Sequence, residues 1–212
     1  MPDVYSELLS EVAGYYTNTL AEHGETPRGV DWNGEESQRL RFAQVCKVID
    51  GVSDHFSIND IGSGYGAFYA YLAEQYPEVL FVGVDVSEAM TQAAAKRYAD
   101  VQQTRFITAA EPDAIADYSV ASGIFNVRQK RRDAEWLSYI EDTIAVLDKS
   151  SRKGFAFNCL TSYSDPDKKR DYLYYADPCY LFDLCKRLYA KDVALLHDYG
   201  LYEFTIIVRK SL

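Results

Sequence analysis

The stretch Asp60–Phe68, DIGSGYGAF, constrains this chain more than any other. A short apolar run with Phe56, Ile58 and Ile61 precedes it, and a helix-like run from Ala67 to Tyr76 follows. Gly62, Gly64 and Gly66 stand at alternate positions and read as a strand-to-helix turn. Without Cβ atoms the backbone there can bend tightly and let a ligand approach closely.

The rest of the chain falls into register around that turn. Val4, Leu8, Val12, Tyr15, Tyr16 and Leu20 give helical spacing over 3–22, and Phe42, Val45, Cys46 and Ile49 give it over 35–50. A loop with Pro27 joins the two. Strands then alternate with helices. The strands are expected to Ile61, over Val79–Val84, Thr104–Ala109, Ser119–Val127 and Gly154–Leu160. The helices are expected to Tyr76, from Ser87 as N-cap to Tyr98, over Asp133–Leu147, and over Pro178–Tyr189 behind an Asp177 cap. A hairpin, Asp192–His197 and Tyr202–Arg209, closes the chain. Repeated βα units imply a mostly parallel sheet covered on both faces. The hairpin turn is too short for a parallel crossover, so it adds an antiparallel strand. The expected fold is α/β, a three-layer sandwich with six parallel strands and one antiparallel strand near the C-terminus. We read 1–212 as a single domain: an N-terminal helical cap over 1–50 and a core over 51–212, with a tyrosine-rich insertion at about 161–176.

Bulk properties narrow the partners. The chain has 212 residues, a net charge of −10 and a pI near 4.8. That balance disfavours nucleic acid, whose binding depends on Lys and Arg at phosphates, and equally disfavours an anionic membrane surface. Arg128–Arg132, RQKRR, is the one basic strip and reads as a solvated helix start. Cys46, Cys159, Cys179 and Cys185 form no CxxC pair, so reduced thiols in a cytoplasmic protein are expected, with no metal site. Asp3 and Glu7 stand where a secretory signal would carry lysines, and no apolar run approaches ~20 residues.

Two carboxylates identify the ligand class. Asp85 ends the second strand, 19 residues beyond Gly66, where it can accept both hydroxyls of an adenosine ribose. GSGYGA alone also satisfies the GxGxxA form of a dinucleotide fingerprint. Asp60 separates the two readings. A dinucleotide presents a pyrophosphate to the helix N-terminus, and a carboxylate two residues before the first glycine opposes that charge. S-adenosylmethionine carries an ammonium and a sulfonium instead, and both favour a nearby carboxylate.

At this point the chain resembles a family, the class I, Rossmann-like S-adenosylmethionine-dependent methyltransferases. The resemblance spans roughly 36–210 and rests on DIGSGYG (Asp60–Gly66), GVDVS (Gly83–Ser87), AAEPD (Ala109–Asp113), GIFNV (Gly123–Val127) and the closing hairpin. It implies a Rossmann-like sheet with S-adenosylmethionine as cofactor. It also implies that Asp60 lies near the methionine portion, that Gly62, Ser63, Gly64 and Gly66 pass beneath the ligand, and that Asp85 and Val86 hold the ribose. Glu111 and Pro112, or Asp113, then border the adenine, with Glu111 standing where relatives often have aspartate. Phe125 and Asn126 lie beside the methyl donor. Trp32 and Arg41 are expected to cover the ligand, the arginine by pairing with its carboxylate.

The acceptor side is less determined. Tyr163, Tyr172, Tyr174, Tyr175 and Tyr180 cluster after the fifth strand, where ligands bind in such sheets, so Tyr175 is a candidate for an aromatic acceptor pocket. Asn126 is a second candidate for direct participation. His197, at the end of the sixth strand, is the best-placed neutral-pH base, against a structural role in the hairpin. His23 and His55 read as surface residues. Methyl transfer is an in-line displacement that proximity and orientation can drive, so no nucleophilic triad is required. The leading expectation is methylation of an O or N atom of a small molecule, with a homodimer as one form the chain could take. The alternatives are a nicotinamide-dependent oxidoreductase and a non-catalytic S-adenosylmethionine-binding sensor or partner subunit.

Overall fold

The computed structural model describes residues 4–32, 34–49, 51 and 55–211. At its centre is a sheet of β1 (Ser57–Ile61), β2 (Leu80–Asp85), β3 (Thr104–Thr108), β4 (Ala116–Ala121), β5 (Ser151–Leu160), β6 (Asp192–Leu196) and β7 (Glu203–Arg209). The strands lie in the order β3-β2-β1-β4-β5-β7-β6. Strands β1 to β5 pair in parallel, and β7 runs antiparallel to both β5 and β6. This is the expected Rossmann-like sheet, with the antiparallel strand contributed by the hairpin. The strand order reverses between β1 and β4, which leaves a crevice beyond their carboxyl ends.

Helices α1 (Val4–His23), α2 (Glu35–Val45), α3 (Ala67–Ala73), α4 (Glu88–Arg97), α5 (Asp133–Lys149) and α6 (Pro178–Leu188) complete the layers. Local chemistry sets their starts. The Ser87 hydroxyl accepts from the Met90 amide at the head of α4. The Asp177 carboxylate accepts from the amides of Cys179 and Tyr180, with Pro178 in the first helical position. Side chains alternate along the strands and feed two cores. Ile206 and Val208 of β7 join Leu8, Trp136, Ile140, Ile144 and Leu181 from α1, α5 and α6. Ile207 joins Phe42, Val45, Phe68 and Leu72 from α2 and α3 on the other side.

Two strands differ from expectation. The sequence pattern predicts a fourth strand over Ser119–Val127, but β4 occupies Ala116–Ala121. It starts earlier because Asp117, a poor strand former by composition, is held by the amide and hydroxyl of Ser57. It stops earlier because the chain turns at Gly123, whose φ is +84°. Phe125 and Val127 are buried without being strand residues. The Phe125 carbonyl instead accepts from Trp136 Nε1 on α5, at 2.7 Å. Likewise β5 begins at Ser151, three residues before the apolar run, because Ser151 pairs with Ala116. The tyrosine-rich segment after β5 folds back on the sheet's upper edge, where Thr161 bridges Ala176 and Leu173 bridges Val127.

Helix α2 is tied to the sheet by a buried ion pair. Arg41 Nε and Nη2 donate to the two carboxylate oxygens of Glu203 at 2.8 and 2.6 Å. Glu203 is 1% exposed and Arg41 8%. Deleting one partner leaves a charge in the interior, which costs about 3–5 kcal/mol. Arg41→Met should therefore lower the urea-unfolding free energy by that amount. Arg41→Met with Glu203→Leu should recover most of it, because the double change leaves no buried charge.

Candidate active site

The crevice beyond β1, β2 and β4 is a cleft lined by the ends of all three strands. Its floor is the glycine turn. Gly62 has φ +76°, and a Cβ there would fall 2.0 Å from Cγ2 of Ile124, so only glycine fits. The amides of Gly62 and Ser63 donate to the Val84 carbonyl at 2.7 and 3.0 Å. The Gly64 amide donates to Asp85 Oδ2 at 2.9 Å, while Asp85 Oδ1 accepts from the Ser87 amide at 2.8 Å. The end of β2 thereby clasps the turn at the end of β1.

Asp60, Ser63, Asp85 and Val86 all face this cavity. Asp60 is 3% exposed. Burial, reinforced by the charge of Asp85, pushes its carboxyl up to about 8. Burial also raises Asp85, against the pull of the Ser87 and Gly64 amides. Ser63 Oγ is buried without a partner. No Lys, Arg or His is among the described residues that line the cavity. Two carboxyls and an orphaned hydroxyl in a cation-free cleft suit a ligand with positive charge and hydroxyls, and oppose a pyrophosphate.

Helix α1 roofs the cleft with Leu9, Val12 and Tyr16. It is held there by a hydrogen bond of 2.8 Å between the hydroxyls of Thr17 and Ser87, and by the ion pair of Glu11 with Arg131. Trp32 closes one end. Its indole packs where a Cβ on Gly123 would come within 2.5 Å, so the turn after β4 and the tryptophan depend on each other. The apolar stripe of α1 marks a helix in the sequence, but nothing in it names the cleft as the surface it covers. Tyr16, Tyr139 and Thr143 thus enter the site unforeseen.

A second chamber opens beside the cleft and shares Tyr16, Val30, Trp32 and Gly123 with it. Arg41 and Asn126 line this chamber and not the cleft. Arg41 was expected to meet a ligand carboxylate beside Asp60, but Glu203 occupies two of its donors. Asn126 Oδ1 accepts from the Leu160 amide at 3.0 Å.

Other expected site residues lie elsewhere. Glu111 pairs with Lys149 at 2.5 Å, and neither it nor Pro112 lines the cleft, where Ala109 and Ala110 stand instead. Asp113 pairs with Arg105. Phe125 is fully buried in the core under α5. The Tyr175 hydroxyl accepts from the Arg170 amide and borders an outer cavity beside the tyrosine-rich segment. His197 is exposed, its ring 6.1 Å from that of Tyr163 and 6.3 Å from that of Phe204, outside every cavity described here. The hairpin order puts β6 at the sheet edge, so its end reaches the same side as the glycine turn but not the same cleft.

Residues 59–151 match the methyltransferase domain family. The Mycobacterium tuberculosis protein Rv1506c, provisionally named a methyltransferase, is 60% identical over 163 residues, covering 77% of this chain and 98% of that protein. Among solved structures, magnesium protoporphyrin IX methyltransferase from Synechocystis superposes with a TM-score of 0.66 at 14% identity, over 94% of this chain and 97% of the other. The 1,6-didemethyltoxoflavin-N1-methyltransferase of Burkholderia thailandensis gives 0.63 at 18%, over 100% and 92%. At these identities the two structures share a fold with this chain. With the extensive match to the mycobacterial protein, the glycine turn and the strand order, the chain belongs to the class I, Rossmann-like S-adenosylmethionine-dependent methyltransferases.

Proposed function

We propose that the chain transfers a methyl group from S-adenosylmethionine to an oxygen or nitrogen atom of a small-molecule acceptor. The observation that carries this reading is the cation-free cleft with two converging carboxyls, Asp60 and Asp85. Asp60 offers a buried negative charge to the cationic methionine portion, and Asp85 keeps lone pairs for the ribose hydroxyls. Ser63 Oγ gives a further polar contact now unmet. Bound there, the cofactor would supply an electrophilic methyl group to an acceptor lone pair, its sulfur leaving as a neutral thioether and the acceptor's proton passing to solvent. The protein's own share is to hold the two reactants in line and keep water out, with α1 and Trp32 as the cover. The solved Synechocystis neighbour contains S-adenosylmethionine and the Burkholderia neighbour S-adenosylhomocysteine with its small-molecule acceptor, which supports the same class of reaction. Among the described residues no helix is long and apolar enough to cross a membrane. The four cysteines are free thiols, and we assign the reaction to the cytoplasm on that basis.

Calorimetric titration tests the donor site. S-adenosylhomocysteine and S-adenosylmethionine should bind, NAD should not, and Asp85→Ala should weaken both adenosyl ligands by about 10–100-fold through loss of charged hydrogen bonds. Binding of NAD alone would overturn the reading. Binding without methyl transfer to any acceptor in a broad screen would favour a sensor.

Asp60 gives an independent pH signature. In the free protein it holds a proton up to about pH 8, whereas an unfolded aspartate releases it near 4. The folded state therefore binds the extra proton in that window, and its benefit is lost as pH rises toward 8. Stability should fall by about 1.4 kcal/mol per pH unit within the window. Asp60→Asn should remove that slope, so urea midpoints of variant and wild type should diverge from pH 5 to 8.5. Ligand affinity should move the other way. A cation selects the ionised carboxylate, so S-adenosylhomocysteine binding should release a proton at pH 7 and tighten with pH until about 8, and Asp60→Asn should abolish both effects.

A further inference from the structure

Beside the donor cleft, the second chamber has its own unmet chemistry. Arg41 is nine-tenths buried and spends Nε and Nη2 on Glu203, yet its Nη1 is buried without a partner. Asn126 turns its carbonyl oxygen to the Leu160 amide, which leaves its NH2 group with no partner among the described residues. Both side chains line the chamber. A buried donor with no acceptor costs free energy that an incoming oxygen can recover. The walls are flat and aromatic: Tyr16 and Trp32, shared with the donor cleft, and Tyr172 from the tyrosine-rich segment. The formal charges inside nearly cancel. Arg41 is neutralised by Glu203, and Asp31, exposed at the rim, accepts from the Tyr15 hydroxyl at 2.9 Å. An anion entering here would meet two carboxylates with only one cation, already paired. A cation would face the Arg41 guanidinium and two spare donors.

We propose that this chamber is the acceptor site, and that it takes an uncharged planar ring compound whose carbonyl oxygen accepts from Arg41 Nη1 and the Asn126 amide. This rests on the reading of the adjoining cleft as the donor site, since Tyr16, Val30, Trp32 and Gly123 line both and set the chamber directly beside it. Arg41 is then an acceptor-binding residue and not a partner of the donor's carboxylate. Tyr172, not Tyr175, is the member of the tyrosine-rich segment that touches the acceptor.

The test is calorimetry on protein saturated with S-adenosylhomocysteine, using a quinolinone as the uncharged carbonyl probe, a naphthoate as its anionic counterpart and N-methylquinolinium as its cationic one. The quinolinone should bind about tenfold more tightly than either. Arg41→Lys keeps a positive charge against Glu203 but removes the spare donor, and should weaken the quinolinone about tenfold. Tyr172→Ala, at a half-exposed position that does not threaten folding, should weaken it severalfold. S-adenosylhomocysteine affinity should change by less than twofold in both variants. The proposal is overturned if no quinolinone binds, if the naphthoate or the quinolinium binds better, or if the variants leave quinolinone affinity unchanged. Failure of S-adenosylhomocysteine to bind wild type is a different result: it defeats the donor reading, and this proposal with it.

Discussion

The hydrogen bond from the Gly64 amide to Asp85 couples the two strand ends on which the site is built. Without it, β1 and β2 would be neighbours in a sheet, with a loop and a loose carboxylate between them. With it, the glycine turn is fixed against β2, and Asp85 is fixed by Gly64 on one oxygen and Ser87 on the other. Ser87 is also the cap of α4 and the partner of Thr17 on α1. One carboxylate therefore organises the turn, the following helix and, through a serine, the roof of the cleft. Asp60 is left buried, and next to the charge of Asp85, which together are why its proton is held so tightly.

A second constraint acts from the far side of the site. Arg41 lies over the Trp32 ring, 4.8 Å from its centroid, while its guanidinium grips Glu203 at the start of β7. The ion pair thus fixes α2, and α2 packs on the tryptophan that lines both the cleft and the chamber. Buried ion pairs are poor sources of net stability but good determinants of arrangement once present. Here the arrangement matters because Trp32 fits only against a residue without Cβ at position 123. An arginine on α2, a tryptophan on a loop and a glycine after β4 lie apart in the chain yet shape one wall.

This explains what the sequence could and could not tell. The seven-stranded, mostly parallel sheet, the antiparallel hairpin and the placement of Asp60 and Asp85 at strand ends were legible because they follow local rules: periodicity, turn chemistry and a fixed spacing along βαβ units. The helix caps Ser87 and Asp177 were legible for the same reason. Arg41, Glu111 and His197 were misplaced because a polar side chain's direction depends on its partner. Glu203, Lys149 and the pair of Tyr163 and Phe204 are not neighbours of those residues in the chain. Phe125 and Val127 misled in another way. An apolar run reads as strand, but these two are buried by the packing of α5 over a turn. The roof of the cleft was half legible: α1 is evident as a helix, while the surface it covers is a tertiary fact.

Three buried side-chain polar atoms lack a partner among the described residues: Ser63 Oγ, Arg41 Nη1 and Arg209 Nε. Nothing in the fold explains the last, which belongs to a side chain whose Nη2 donates to the Lys47 carbonyl. The other two line the cleft and the chamber, one on each side of Trp32. Elsewhere the chain satisfies its interior with care. Asn59, for example, donates to the carbonyls of Ala114 and Ser150, and Asn158 bonds the Gly123 amide and the Ser122 hydroxyl. A fold that completes these bonds could have completed two more if stability alone had shaped it. Leaving them open costs free energy in the empty protein, and so does a protonated aspartate that would rather be ionised. The free energy is recovered only when something with a positive charge fills the cleft and something with a carbonyl oxygen fills the chamber. The unmet groups on the two sides of Trp32 are thus the ones the proposed donor and acceptor would satisfy, with Trp32 lining both sites.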